Sequence, residues 1–259
     1  MEGLSEREWV IGLHDFHGAS QPQKVFAGFH ELVIEELTQL GLDLTYVGIE
    51  GDGYTGKATK AHGAAFKRVK DAEFNGISVL NLICNPKGSN SPAYDRFFSA
   101  SLNITSYNDN LLTLCVNDGL LGFGSGGFQR ILKRVASLHD WTTGYAFVDL
   151  SSRQPEFHVM GLDDGNLSSD EYCRLTKWYT STREDKLSRI RAIYPFNLLN
   201  RRQLQQRLAN GQTVREFAES FVSSELITGG FGQLALWIVP ESELASVRST
   251  LDGCYAVIA

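Results

Sequence analysis

Apolar and polar positions change period several times along this chain, and each change marks an element. Residues 9–13 form an apolar run short enough for a buried strand. Val25, Phe29, Leu32, Val33, Leu37 and Leu40 then recur three and four apart, which predicts a helix stopped by Gly41. Residues 45–49 read as a second strand, and Ala61, Ala65, Phe66 and Val69 as a short helix. Residues 77–83 are almost continuously apolar, the pattern of a strand covered on both faces and therefore central. The period then becomes two. Phe98, Ala100, Leu102 and Ile104 alternate with Ser99, Ser101, Asn103 and Thr105, and Leu112, Leu114 and Val116 alternate back after the turn at 106–110. That is an antiparallel hairpin with one buried face. Phe128, Ile131, Leu132, Val135 and Leu138 mark a third amphipathic helix, followed by a strand at 144–150.

The last third is richer in helix signals. Residues 151–165 are turn-rich, with one short strand read at 157–160. Ser168 stands three before Glu171, with Leu167 and Tyr172 placed as a hydrophobic staple, and Thr213 and Glu216 repeat the capping-box spacing. In the Tyr194-Pro195-Phe196-Asn197 run, Pro195 fixes an anchored turn and Asn197 is placed to cap the following helix, which carries Leu204 and Leu208. Trp237 lies in an apolar strand and reads as core. Pro240, Glu241 and Glu243 open a last helix that ends before Gly253, and 254–258 reads as a closing strand. Strands joined by both helices and hairpins predict an α+β fold, with a mixed, largely antiparallel sheet flanked by amphipathic helices. The expected organisation is one domain or two packed α+β subdomains, 1–150 and 151–259, with a soft boundary at 151–167.

Composition narrows the class. At 259 residues, 42% hydrophobic and 21% charged, the chain has the makeup of a soluble globular protein. No apolar run exceeds about ten residues, too short for a membrane span. The N-terminus is charged and mostly acidic, unlike a secretory signal. Four dispersed cysteines, three of them (Cys84, Cys115 and Cys254) in apolar strands, suit a reduced cytoplasmic protein. The net charge of −6 disfavours nucleic acid as a direct partner and suits a basic protein.

Three constellations of residues could carry chemistry. Gly51-Asp52-Gly53-Tyr54-Thr55-Gly56 and residues 122–127 both match G-x-G-x-x-G, the spacing of a nucleotide phosphate loop. Asp52 inside the first loop repels phosphate, and the second holds no basic residue, so both read as connections. His14, Asp15 and His17 offer metal ligands within four residues, yet alternation along a strand sends His14 away from both of its neighbours, so a metal-dependent hydrolase there needs a sharp turn. Arg183, Lys186, Arg189, Arg191, Arg201 and Arg202 are interleaved with Glu184 and Asp185, which reads as a salt-bridged solvated face. On this reading there are no catalytic, metal or cofactor residues.

The C-terminal 70 residues carry a more specific pattern: Tyr194, Pro195, Asn197 and Leu199, then Leu204, Gly211, Phe217, Gly232, Leu234, the 237–240 Trp-Ile-Val-Pro element, Arg248 and Leu251. This order resembles bacterial immunity proteins of polymorphic-toxin and type VI secretion systems, most closely the immunity protein 52 family. The resemblance implies a non-enzymatic protein that binds and neutralises a cognate effector toxin, of the nuclease type, by occluding its active site. Loops are the expected contact regions: Asp52 and Tyr54, then Tyr107, Asn108 and Asp109, and Asp163 and Asp164. The alternatives are a nucleotide-binding enzyme using 51–56 and a metal-dependent hydrolase using His14, Asp15 and His17.

Overall fold

The computed structural model describes residues 6–86, 96–105, 109–121, 126–162, 169–220 and 225–258. In chain order the elements begin with β1 (Arg7–Asp15), α1 (Pro22–Gln39), β2 (Tyr46–Gly51), β3 (Tyr54–Thr55), β4 (Thr59–Lys60), α2 (Ala64–Asp71) and β5 (Ile77–Cys84). Next come β6 (Phe98–Asn103), β7 (Asn110–Asn117), α3 (Asp118–Leu121), α4 (Gly127–Ala136), β8 (Thr143–Leu150), α5 (Pro155–Met160), α6 (Ser169–Thr180) and α7 (Arg183–Ser188). The chain finishes with β9 (Phe196–Leu199), α8 (Arg201–Leu204), α9 (Val214–Ser220), β10 (Glu225–Thr228), β11 (Ala235–Ile238) and α10 (Glu241–Leu251). No described helix is long and apolar enough to cross a membrane.

The strands form one 11-stranded sheet in the order β10-β11-β9-β8-β1-β7-β6-β5-β2-β3, with β4 also on β2. Its ladders are antiparallel, so the fold is α+β. The sheet runs on through β8 and β9, across the turn-rich segment after residue 150.

Period two sorts the side chains between the faces. Trp9, Ile11 and Leu13 join Leu80, Leu82, Ala100, Leu102, Leu112 and Leu114 in the larger core, against Phe26, Phe29 and Val33 of α1 and Ile131, Leu132 and Val135 of α4. On the other face Val10, Tyr145, Phe147 and Tyr194 close over Val159 of α5, and a further core gathers Trp237, Leu199, Phe217, Val247 and Leu251. Gly12 is bare for a reason: a Cβ there would lie 2.6 Å from the Val159 side chain, so α5 rests directly on β1.

Several expectations change. Residues 77–83 form β5, which is not central; its inward residues are buried while Val79, Asn81 and Ile83 are only half-buried. An apolar run does not by itself say how many faces are covered. Residues 157–160 are helical, because Pro155 opens the turn and Glu156 lies in its first turn. Residues 254–258 form a turn bridged once to Ile190 through Val257, so Cys254 is not in a strand. The helix cap is Asn200, in a capping box with Gln203. Asn197 is buried in β9, where it accepts from the Tyr194 N–H and donates to the Tyr194 and Trp237 carbonyls. Thr213 and Glu216 do exchange their bonds, while the Ser168 and Glu171 box lies outside the described residues.

Two arginine clamps each hold a buried glutamate. Arg96 donates to Glu8 of β1 at 3.0 and 3.1 Å and to Glu156 of α5 at 2.7 Å, with Glu8 almost wholly enclosed. Glu36 of α1 is also enclosed, but its partners Arg130 and Arg134 on α4 keep much of their surface in water. Removing a cation from a buried acid costs more than removing an acid from solvated cations. Arg96→Met is expected to lower unfolding stability by about 3–5 kcal/mol, and Glu36→Gln by about 1 kcal/mol. Urea denaturation at neutral pH checks this, and equal losses would contradict it.

Candidate functional site

The three proposed metal ligands do not converge. His14 turns into the second face, where it stacks on Phe16 and Tyr145 and its Nε2 lies 3.4 Å from the Tyr145 hydroxyl. Burial, reinforced by Arg191 and Lys186, pushes its pKa down to about 3, so the ring is neutral. Asp15 turns the opposite way, 3.0 Å from His139 Nε2 and 2.9 Å from the Asn110 amide nitrogen, and it accepts the His17 N–H at 2.8 Å. Burial opposes its charge, but the bonds from His139, the His17 N–H and Asn110 prevail and hold the carboxyl at about 2. His17 is exposed beside Arg183. Asp15 is thus a tie between β1, β7 and the entry to β8.

Among the described residues, Glu8, Cys115 and Glu156 lie close enough to share an ion. The Arg96 guanidinium already fills that role, bonded to both carboxylates. Cys115 is buried, and burial pushes its thiol far above its usual range, which keeps it from acting as a thiolate. Residues 51–56 are not a strand-to-helix phosphate loop. They form a hairpin at the sheet edge, with Glu50 opposite Thr55 and Gly51 opposite Tyr54. The Asp52 N–H donates to the Gly76 carbonyl at 2.8 Å, which fastens the hairpin to the turn before β5. Of the second glycine loop, 122–125 lie outside the described residues.

The basic run divides. Arg189 pairs with Asp185, and Arg202 with Glu184, as a solvated face requires. Arg191 departs from that expectation and is buried, bonded to the Tyr145 hydroxyl and the His158 and Val159 carbonyls, over the Tyr145 and Trp178 rings. Carbonyls and ring faces here take the place of water.

Of the loop residues, Asp52 and Asp109 are exposed and Tyr54 is half-buried against the core. Asp109 lies 3.5 Å from Lys186. Tyr107, Asn108, Asp163 and Asp164 lie outside the described residues. Asp52 follows the end of β2 and Asp109 precedes β7; the registers put both at the sheet end that holds Asp15. Three strand spacings, roughly 14 Å, separate their strands.

At the other end of the sheet is a cleft of about 580 Å³. It opens where β8 outruns β9: their ladder ends at Ala146 and Phe196, and Pro195 carries the chain away. Trp9, Val148 and Phe196 line it from one face of the sheet, Phe147 and Tyr194 from the other, and Leu244 and Arg248 from α10. Tyr194 is held by a stack on Tyr145 (centroids 4.4 Å apart) and by His158 Nε2 at 2.9 Å from its hydroxyl. Arg248 gives its Nε–H to the Ile193 carbonyl at 2.8 Å, and no described carboxylate lies within ion-pairing distance of it. The sequence signal for this cleft was Pro195, a residue that cannot continue a ladder.

No family model and no curated protein sequence matches the chain. A solved structure does: a Pseudomonas aeruginosa T6SS protein, PA0821, matches over 90% of this chain with a TM-score of 0.59 and 15% identity. The chain covers 65% of the length of that protein. At this identity the likeness is one of fold.

His14 gives the site a pH signature. Its folded pKa is below the unfolded value of 6.5, so the unfolded state binds more protons between about 3 and 6.5. Stability is therefore lost as pH falls through that window. In His14→Phe the loss between pH 6.5 and 4 is expected to be shallower, by roughly 1 kcal/mol per pH unit. Urea unfolding at several pH values checks this, and parallel curves for the two proteins would contradict it.

Proposed function

We propose that the chain is an immunity protein of a type VI secretion system, which binds a cognate effector toxin of the nuclease type and blocks its active site without making or breaking a bond. The observation that carries this reading is the fold likeness to a T6SS protein along 90% of the chain, joined to the immunity-like pattern of the last 70 residues. The local geometry supports it. Asp15, Glu8 and Cys115 are each committed to packing, and the 51–56 loop is a fastened hairpin. The net charge of −6 favours encounter with a basic toxin.

In this proposal the toxin meets the sheet end that carries Asp52, Tyr54 and Asp109; Tyr107, Asn108, Asp163 and Asp164, outside the described residues, are contacts proposed from the sequence pattern alone. Acidic loops there stand in for the phosphates that a nuclease groove attracts. Co-expression with the toxin encoded beside this gene is expected to restore growth. The double variant Asp52→Lys/Asp109→Lys is expected to slow association about tenfold at low salt, with the difference closing at high salt. Growth arrest despite full expression of the folded chain would refute the reading. An unchanged association rate would remove these loops from the interface.

A further inference from the structure

The cleft beside β8 borders a strand edge whose ladder stops short. In an antiparallel ladder, residues alternate between those that bond to the neighbour and those that point away from it. The Ser151 N–H donates to Glu6 at 2.8 Å, and the register pairs Asp149 with Glu8 and Phe147 with Val10. Val148, opposite Trp9, therefore points its N–H and C=O away from β1, toward the position of β9. One step lower, Ala146 pairs with Phe196 of β9. At Val148 the ladder partner would be Tyr194, but the Tyr194 N–H and C=O are both taken by the Asn197 side chain. The Pro195 carbonyl turns the other way, to the Val239 N–H at 2.8 Å. No described group meets the Val148 backbone.

The walls fit the same conclusion. Where β9 lies between β8 and β11, those strands are two spacings apart, roughly 9.5 Å. The ladder between β9 and β11 ends at Phe196 and Ile238, with one further bond from the Val239 N–H to the Pro195 carbonyl, and beyond it the cleft opens between β8 and α10. Its lining from the two sheet faces suits a strand whose alternate residues point to opposite sides. Charge selects further. The cleft carries Arg7, Arg153 and Arg248 against Asp149 and Glu241, and Arg153 is spent on Asp149 at 3.7 Å. The balance is positive on a chain of net charge −6, and Arg248 has no described carboxylate within ion-pairing distance.

We infer that this slot binds an extended peptide segment of a partner protein. The segment prolongs the line of β9, exchanges hydrogen bonds with Val148, sets apolar side chains against Trp9 and Phe196 on one side and Phe147 and Tyr194 on the other, and places a carboxylate on Arg248. The inference does not rest on the effector reading, since it concerns the recognition of any strand of this pattern.

The test is to pan a phage-displayed library of dodecapeptides on the full chain and to titrate synthetic copies of the enriched sequences. Expected sequences alternate apolar residues and contain an acid. Val148→Pro removes the amide on that edge that has no described partner, since the Leu150 N–H is taken by the Asp149 carboxylate, and leaves the bonds to β1 in place, so binding should fall tenfold or more. Arg248→Gln should weaken binding about tenfold, and should have little effect on peptides whose acid is replaced by alanine. Because Val148→Pro risks misfolding, hydrogen exchange on the unaltered chain supplies a second readout: bound peptide should slow exchange at Val148. The inference is overturned by any of three results. These are no enrichment, enriched peptides that neither variant affects and that leave Val148 exchange unchanged, or binding of laurate at the cleft with no peptide enriched.

Discussion

The register of β1 is the constraint on which the rest of the structure depends. This strand pairs with β7 and β8 at once, and it carries a buried carboxylate near each end. Glu8 is answered by Arg96, and Asp15 by His139 and Asn110. A slip of one residue would move every side chain to the opposite face and carry both acids away from their partners. Between them Trp9, Ile11 and Leu13 face the larger core, while Val10, Gly12 and His14 receive α5 and the aromatic cluster. Arg96 ties that register to α5, because Glu156 shares its guanidinium with Glu8. Two layers of helix are thus indexed to one strand.

From that index follow the two ends proposed as binding surfaces. At the Asp15 end, Asp52 just after β2 and Asp109 just before β7 are exposed. At the Glu8 end, β8 continues past the point where Pro195 diverts its neighbour, and an open strand edge faces a cleft. Roughly 20 Å of β1 lies between Trp9 and Asp15, so the two regions are separate surfaces held by one rigid strand. The first is proposed to attract a basic partner at long range, the second to recognise an extended segment at short range.

Much of the fold was legible in the residues. The switch from helical spacing to period two located β6 and β7, and Gly41, at φ +69°, ends α1 as its position suggested. The Thr213 and Glu216 box was readable because both partners lie within four residues. Features set by distant partners were not. The partial cover over β5, the burial of Arg191 and the Arg96 clamp depend on what crosses the sheet, which spacing along the chain does not encode. Residues 157–160 and 254–258 are short apolar runs, for which helix, strand and turn compete and tertiary packing decides. The cleft was hidden for a related reason: Pro195 announced a turn, but only the strand order shows that β8 is the strand left uncovered.

A protein that acts by surface fit should behave as a stoichiometric ligand of its target. The most direct measurement is a titration of the purified adjacent-gene effector with the purified chain, following the effector's own activity. Activity should fall linearly to zero at one chain per effector and stay there. An effector that keeps full activity with the chain in excess, or a chain that itself consumes a small-molecule substrate over many turnovers, would contradict it.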